Sequence, residues 1–579
     1  MSHPMKSLIV ILCIFFAAFD LAAKENIAPE SMQEMDSILH ELDSPGKPAL
    51  SIALIKKDRL LYQKTFGSAN LEYQIAATDE TIYQVDALAW EFVAYATLLL
   101  EEQGKIRRHD DIRRYLPALP GFAGKITINH LLSSTDGLHG YKVLQSLAGW
   151  KSAPGEQVQD IVRLVSMQKA PNFAPGTAFS PGGDTRLILL AKIVEAVSGQ
   201  AFDDYAKQQI FAPLGMSRTV FVTDAKQTMR NVALPYRQDA SGRYLHEQAS
   251  GSVAGPLNLY TSIGDLAKWR MALASQAAER QSVASKLDLP IRLDDGTVIK
   301  DMSSISTYAQ QHAGKERGIA KTYQLGNSGG YASSIFRFPG QDLTVVTLSS
   351  GLAYNGSYGM RVASVLLKDD FSEPLTIDYD KISRVKLSKE QLQKFEGNYW
   401  SPVRALAAKV YLENDVLYYR RIDGVNSRVL IPLDESTFQM KIDGDDHYFI
   451  KFVQGPHGRH MHFMMEQSDP IIFESYQPVS YASDELARFA GTFHNEETDA
   501  SFVVEAKDGL LFASNLRTGA VQFRPVSQDV FSGNKSFMAG IEFHRGRDRE
   551  ITGFQVVVDE VRNLQFSKVR SLHDQTVSR

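Results

Sequence analysis

Cysteine is almost absent from this 579-residue chain, whose single cysteine is Cys13 in the N-terminal segment. The remainder of the chain therefore has no disulfide, no thiol nucleophile and no cysteine-ligated metal site. Low-complexity tracts are missing as well, and the net charge of -5 gives no support for nucleic acid as a partner. The composition is that of a globular protein, and the length predicts two to four domains.

The N-terminus has the pattern of a secretory leader. Lys6 precedes an apolar run over residues 8–19, and small residues at 21–23 come before the charged pair at 24–25. This pattern predicts a signal peptide over residues 1–23 with cleavage after Ala23. The protein is then bacterial and periplasmic or secreted, with no membrane-spanning segment after cleavage. An uncleaved membrane anchor is the alternative, although the run is short for a span.

A second absence is that of nucleophilic side chains at the start of the predicted central helix of the chain. Residues 86–104 are predicted to form one buried helix, with Asp86 as N-cap and Gly104 as C-terminal stop. A helix N-terminus that follows an extended segment favours a nucleophile, because its free N–H groups stabilise negative charge. Yet no Ser, Thr, Cys or Lys lies between Val85 and Ala96.

Strand patterns lie on both sides of this helix. An apolar hairpin is predicted over residues 48–67, and two further strands over 334–338 and 343–349, with mostly helical patterns between. The expected fold is α/β (α+β): an antiparallel sheet flanked by helices, with a helical insertion, over residues 24–370.

The last third of the chain contains an internal repeat of about ninety residues. Residues 392–399 match 486–493, and Pro432–Phe438 matches Pro525–Phe531. Short alternating strands in each copy predict two small antiparallel β-barrels of roughly eight strands, over 390–478 and 483–572. Residues 371–389 are predicted to be the linker.

The order of motifs in residues 24–370 resembles the serine β-lactamase and penicillin-binding protein family, in its class C, D-aminopeptidase and esterase branch. The segments that carry this resemblance are 48–67, 126–138, 175–177, 195–199, 213–216, 260–269 and 326–330. The two repeats look like the lipocalin-like barrel domains appended to some D-amino-acid peptidases of this family.

The resemblance implies a serine hydrolase with three catalytic motifs, and all three are degenerate here. Ser-x-x-Lys corresponds to residues 87–90, so that Ala87 replaces the nucleophile and Trp90 the lysine. The tyrosine of the second motif corresponds to Pro181 or Gly182. The lysine or histidine of the third corresponds to Asn327. Three simultaneous losses predict a catalytically inactive protein.

The resemblance also implies a cleft that keeps some binding capacity. The family uses backbone N–H groups to hold a carbonyl oxygen, here those of Ala87 and Gly330. The candidate ligand-binding residues are Ala87, Trp90, Asp184, Asn327, Ser328 and Gly330. The expected partner is a peptide-like or cell-wall-derived ligand, or a partner protein. Neither a cofactor nor a metal ion is expected.

Two alternatives remain open from the sequence. The chain could be a hydrolase with a noncanonical nucleophile; residues 326–330 fit G-x-S-x-G, but that motif needs a helix after the serine and a strand pattern follows instead. It could also be a structural interaction module in which Trp90 fills the cleft. The sequence gives no information on the oligomeric state.

Overall fold

The computed structural model describes residues 27–569 except for short internal gaps. The gaps are residues 45, 123, 151–157, 181–182, 225, 240, 248–256, 278, 280, 301–306, 352–355, 375–377, 423–425, 443–446, 457 and 466–467. The predicted leader, residues 1–23, lies outside this range. Within it, no helix is both long and apolar enough to span a bilayer.

The first domain is built on a sheet that joins its two ends. The strands of the whole domain are β1 (Leu50–Lys56), β2 (Arg59–Phe66), β3 (Ser68–Asn70), β4 (Ile75–Ala76), β5 (Ile82–Gln84), β6 (Val220–Phe221), β7 (Tyr236–Gln238), β8 (Tyr244–His246), β9 (Leu259–Ser262), β10 (His312–Glu316), β11 (Ile319–Ser328), β12 (Tyr331–Phe338) and β13 (Leu343–Ser349). Six form an antiparallel sheet in the order β10-β11-β12-β13-β1-β2. The pairing of β1 with β13 confirms the sheet that the sequence predicts.

Helices cover this sheet and form the insertion. They are α1 (Pro29–Leu39), α2 (Ala89–Glu102), α3 (Ile128–Ser133), α4 (Tyr141–Leu147), α5 (Val158–Ser166), α6 (Thr185–Ser198), α7 (Phe202–Ala206), α8 (Ile263–Ala277), α9 (Val283–Leu287) and α10 (Gly356–Leu367). Eleven of the fourteen residues of α2 are buried. Because α2 packs against α6 and α9 within the main apolar cluster, it is the central helix of the domain.

Two closed barrels follow, each of eight antiparallel strands, as the repeat predicts. The first contains α11 (Lys389–Gln393), β14 (Gly397–Ser401), β15 (Leu406–Glu413), β16 (Val416–Arg421), β17 (Arg428–Pro432), β18 (Thr437–Met440), β19 (Tyr448–Gly455), β20 (Gly458–Met465) and β21 (Ile471–Tyr476). The second contains α12 (Ser483–Ala487), β22 (Gly491–Asn495), β23 (Ala500–Lys507), β24 (Leu510–Asn515), β25 (Gly519–Ser527), β26 (Val530–Gly533), β27 (Gly540–Arg545), β28 (Ile551–Val558) and β29 (Val561–Lys568). The domain boundaries proposed above stay predictions.

Aromatic side chains fill the interior of the barrels. In the second barrel the rings of Phe493 and Phe543 lie 5.1 and 5.5 Å from the ring of Phe554. In the first, the rings of Phe395 and Phe452 stack at 4.6 Å. These inward positions recur in both copies of the repeat, because each small barrel needs bulky side chains to fill its core.

The second barrel docks on the helical part of the first domain. Leu144, Leu147 and Leu164, from α4 and α5, belong to the same apolar cluster as the barrel interior. Asn172 reinforces this contact: its side-chain amide donates to the carbonyl of Glu560 at 2.9 Å, and its Oδ1 accepts from the N–H of Arg562 at 2.6 Å. The turn between β28 and β29 is therefore fixed against the first domain.

We expect Asn172→Ala to loosen this docked turn. Removing the amide leaves the backbone groups of Glu560 and Arg562 without these partners, which should raise hydrogen exchange of the β28–β29 turn by about tenfold. Hydrogen-exchange mass spectrometry measures this. Lys169→Ala is the matched control, because the Lys169–Glu496 ion pair crosses the same interface with both side chains mostly exposed. Equal hydrogen-exchange rates of this turn in the Asn172→Ala and Lys169→Ala variants would contradict the role of Asn172 in holding it.

Candidate functional site

The chain enters α2 through a tight turn. A single 3₁₀ turn spans Asp86–Leu88, and the α-helix begins at Ala89, so the prediction of one helix from an Asp86 N-cap is wrong in this detail. Asp86 has a φ of 45°, a left-handed conformation that is uncommon outside glycine. The N-cap position of this turn is Val85, whose side chain makes no cap hydrogen bond.

The carboxyl group of Asp86 lies where a catalytic centre is expected. Burial raises its pKa above the ordinary value and the charge of Asp184 adds to this, while Lys142 and the backbone N–H groups of Asn327 and Ala87 oppose it. Asp86 and Ala87 are both partly exposed, so this point is open to solvent.

Trp90 lies beneath this opening, in the core. Its side chain is 5% exposed, and the guanidinium carbon of Arg186 lies 5.0 Å from its ring centroid. Burial lowers the pKa of Arg186, and the charge of Asp136, which is also buried, opposes that effect. At the position where the resemblance implies an amine, the domain therefore holds an indole covered by a guanidinium, a favourable cation–π contact.

Glu91, which follows Trp90 in α2, is part of a second group of buried charged side chains. Its carboxylate accepts from the guanidinium of Arg270 at 2.7 Å and from the indole N–H of Trp269 at 2.8 Å. The side chains of Glu91 and Arg270 are 2% and 4% exposed. This ion pair connects the first turn of α2 to α8.

Lys142 and Asp184 form the polar rim of the cleft. The ammonium of Lys142, in α4, lies 2.6 Å from Oδ2 of Asp184, which directly precedes α6. The Lys142 side chain is more than half exposed and that of Asp184 one-quarter exposed. Burial lowers the pKa of Lys142, but the charge of Asp184 and its hydrogen bond more than offset this and raise it overall. Gly182 and Pro181 lie outside the described residues.

The third motif lies at the hairpin between β11 and β12. Asn327 is exposed and pairs with Ala332, and Ser328 pairs with Tyr331 before a turn at Gly329 and Gly330. Both glycines have positive φ, and a Cβ on Gly330 would lie 3.0 Å from the backbone of residue 236. A strand follows Ser328, as the sequence pattern predicts, so residues 326–330 lack the helix that a nucleophile elbow needs.

The docked turn of the second barrel forms another wall of the cleft. The N–H of Gly140 donates to the carbonyl of Glu560 at 2.9 Å, and a Cβ on Gly140 would collide with the Glu560 carboxyl. Burial and the charge of Asp184 raise the pKa of Glu560 above 4.5, its ordinary value, while Arg186 and Lys142 oppose this. Barrel and cleft therefore share one electrostatic network.

The structure thus brings most of the sequence-predicted residues together. Ala87, Asp184 and Asn327 surround the Asp86 carboxyl, Ser328 and Gly330 continue from Asn327, and Trp90 lies below. Sequence reasoning missed Lys142, Arg186 and Glu560, because only the tertiary packing of α4, α6 and the second barrel brings them here. In the ranges the structure describes, no three His, Cys, Asp or Glu residues are placed to share a metal ion.

Comparison with known proteins identifies the family. The Beta-lactamase family matches residues 35–368, more than half of the chain. The chain belongs to the beta-lactamase family. A penicillin-binding protein of Bacillus subtilis (strain 168) is 32% identical to this beta-lactamase family member over 160 residues, which cover 28% of the chain and 35% of the relative.

Other relatives agree with this assignment. An Escherichia coli (strain K12) protein named for D-alanyl-D-alanine carboxypeptidase activity is 25% identical over 275 residues, 41% of this beta-lactamase family member and 62% of the relative. The chain thus spans less than two thirds of both curated relatives. A penicillin-binding protein homologue from Pyrococcus abyssi has the same fold, with a TM-score of 0.51, 22% identity and coverage of 77% of this chain and 99% of its own.

We expect Glu91→Ala to destabilise the first domain of this beta-lactamase family member strongly. The substitution leaves the guanidinium of Arg270 buried without its carboxylate, which costs about 3–5 kcal/mol of the free energy of unfolding. Urea denaturation followed by tryptophan fluorescence measures this. Lys64→Ala, which breaks a half-exposed pair with Asp36, is the control and should cost at most about 1 kcal/mol. Similar losses for both variants would show that Glu91 is not a key partner.

A second prediction concerns pH. Because the folded-state pKa of Glu560 is raised, the docked state favours the protonated carboxyl, and stability should fall as pH rises above about 4.5. Glu560→Gln should remove this loss, so that the variant melts higher than the parent at pH of about 8 but not at about 4. Thermal denaturation at both pH values measures it.

Glu496→Gln is the control for this pH experiment. Glu496 lies at the same interface, but its hydrogen bond with Lys169 lowers its pKa, so its neutralisation brings no gain at the higher pH. A lower melting temperature of Glu560→Gln at pH of about 8 would mean that the Glu560 charge stabilises the docked turn, contrary to the burial argument.

Proposed function

We propose that this protein is an exported, catalytically silent member of the beta-lactamase family that binds a peptide-like, cell-wall-derived ligand in its cleft. The observation that carries the proposal is the start of α2, where Ala87 and Trp90 replace a nucleophile and its proton acceptor while the surrounding fold is kept. The cleft floor at Asp86 and Ala87 is still open to solvent.

Catalytic silence is supported by the chemistry of the side chains at the cleft. A serine hydroxyl becomes a useful nucleophile only when a neighbouring base removes its proton. The side chain of Ala87 has no oxygen atom. The side chain of Trp90 has no amine and lies under Arg186 in the core. Nucleophile and base are thus affected together.

Ligand binding is supported by the accessible polar groups of the rim. Lys142 and Asn327 are exposed, and Asp184 is partly exposed beside them. An ammonium, a carboxylate and an amide on one rim suit a peptide, which carries N–H, carbonyl and terminal charges. Curated relatives are named for penicillin binding and for D-alanyl-D-alanine carboxypeptidase activity, which favours a D-alanyl-terminated peptide. Export is supported by the leader pattern of residues 1–23.

One observation favours a second candidate, a structural interaction module with a closed cleft. The sequence suggested Trp90 as the plug, but Trp90 lies in the core; the group that narrows the cleft is the Glu560 turn of the second barrel. In this second candidate the barrel takes the place of a ligand. The two candidates differ in whether added peptide stabilises the protein.

We expect neither a β-lactam nor a fluorophosphonate to label the protein covalently. Intact-mass spectrometry after incubation with each reagent measures this, with a serine-containing penicillin-binding protein as the positive control. A stoichiometric adduct on a residue of the cleft would overturn catalytic silence and support a hydrolase with a noncanonical nucleophile.

The ligand is tested in the same preparation by thermal shift with a D-alanyl-D-alanine-terminated muropeptide. Binding stabilises the folded state by mass action, by about 2.7 kcal/mol at a concentration of one hundred times Kd. Asp184→Asn should reduce the shift, whereas Asp160→Asn, on the exposed side of α5, should not. The absence of any shift would favour the closed module.

A further inference from the structure

The outer face of the first barrel carries two cations side by side. Lys409 of β15 and Arg420 of β16 are directly opposite each other in the strand pairing, and both are exposed. Like charges at directly opposed positions destabilise a sheet. Within the described part of the chain, neither side chain forms a salt bridge that would relieve this repulsion. The barrel therefore keeps an unfavourable pair that its own folding does not require.

Two tyrosines lie next to these cations. Tyr411 and Tyr418 are also directly opposite each other, with ring centroids 5.5 Å apart and an angle of 17° between the rings. The hydroxyl of Tyr411 donates to Oγ of Ser427 at 2.7 Å. Lys409 and Arg420 lie 6.0 and 5.9 Å from the Tyr411 ring. The Tyr411 ring is thus held in place beside two exposed cationic side chains, on a partly exposed surface.

An amide side chain completes this surface. Asn398 of β14 pairs with Lys409, so the two share one row of the outer face. Asn398 is partly exposed, and among the described residues its side chain has no hydrogen-bond partner. We call the set Asn398, Lys409, Tyr411, Tyr418 and Arg420 the barrel-1 platform. It offers amide hydrogen bonds, aromatic surface and positive charge within one patch.

The second barrel shows that these residues are not needed for the fold. The two barrels superpose in register along the repeat, since Val410 and Val504 are buried at the same position of the same strand pair. At the positions of the platform the second barrel has Thr492, Val503, Glu505, Phe512 and Ser514. The same architecture therefore closes without the two cations or the tyrosine pair.

We propose that the barrel-1 platform binds an anionic glycan, with a carboxylate-bearing sugar at Lys409 and Arg420. Pyranose rings present apolar C–H faces that pack on aromatic rings, and their hydroxyl groups pair with amides. A carboxylate on the sugar would receive charge-assisted hydrogen bonds from both cations and relieve their repulsion. This surface is separate from the cleft, so the proposal does not depend on the cleft ligand.

The charge distribution favours a sugar acid over nucleic acid. Glu413, exposed on the same face of β15, follows Tyr411 and limits the positive region to the Lys409–Arg420 end of the platform. A single carboxylate fits this short cationic region. The net charge of -5 opposes the binding of a long polyphosphate chain.

Isothermal titration calorimetry on the full chain tests the proposal with three probes: tetragalacturonate, the neutral chitotetraose and a short oligo-dT. We expect tetragalacturonate to bind about tenfold or more tightly than the other two. The double variant with Lys409→Gln and Arg420→Gln should weaken tetragalacturonate binding by about tenfold. The single variant Tyr418→Ala should weaken it by about tenfold as well. Lys441→Gln is the matched control, since Lys441 also lies over a tyrosine, Tyr379, but outside the platform.

Three results would overturn the proposal. The first is no binding of tetragalacturonate, and the second is binding that the Lys409→Gln and Arg420→Gln double variant leaves unchanged. The third is tighter binding of oligo-dT, which would make the platform a nucleic-acid surface. Unchanged melting temperatures of the variants show that the exposed substitutions have not disturbed the barrel. None of these results affects the labelling and muropeptide experiments on the cleft.

Discussion

Burial of α2 is the constraint on which the first domain depends. A helix buried on nearly every side cannot shift without breaking the packing of α6 and α9, and the ion pair between Glu91 and Arg270 ties its first turn to α8. Removal of one member of such a pair leaves an uncompensated charge in the core. The start of α2 is therefore fixed in space by packing and by this ion pair, whichever side chains it presents to the cleft.

The groups around the start of α2 form one cluster of mixed charge. Carboxyl groups of Asp86, Asp184 and Glu560 face Lys142 and Arg186 in a partly buried space. Burial raises the pKa values of Asp86 and Glu560 and favours their neutral forms, which reduces the repulsion between the carboxyl groups. The site therefore holds several polar and charged groups next to the start of α2.

Local patterns in the sequence predicted a large part of this structure. The β1–β2 hairpin, the sheet that joins both ends of the first domain, and the two eight-stranded barrels follow from alternation, turn residues and an internal repeat. The prediction that Ala87, Trp90 and Asn327 replace the family's catalytic residues also comes from the sequence, and it stays a prediction. The left-handed conformation of Asp86 was missed because helix-capping rules favour Asp at that position. Lys142, Arg186 and Glu560 were missed because no local pattern indicates which helices and barrel strands will meet.

The docked β28–β29 turn has a consequence for how the molecule is made. Glu560 lies 474 residues beyond Asp86 in sequence, yet both contribute to one cleft. Synthesis proceeds from the N-terminus, and domains generally fold as units in that order. The first domain must therefore complete its sheet and bury α2 while one wall of its cleft is still missing. Only after the last barrel closes does the cleft acquire its final shape, so the newly made protein passes through a stage in which that cleft is wider than in the finished molecule.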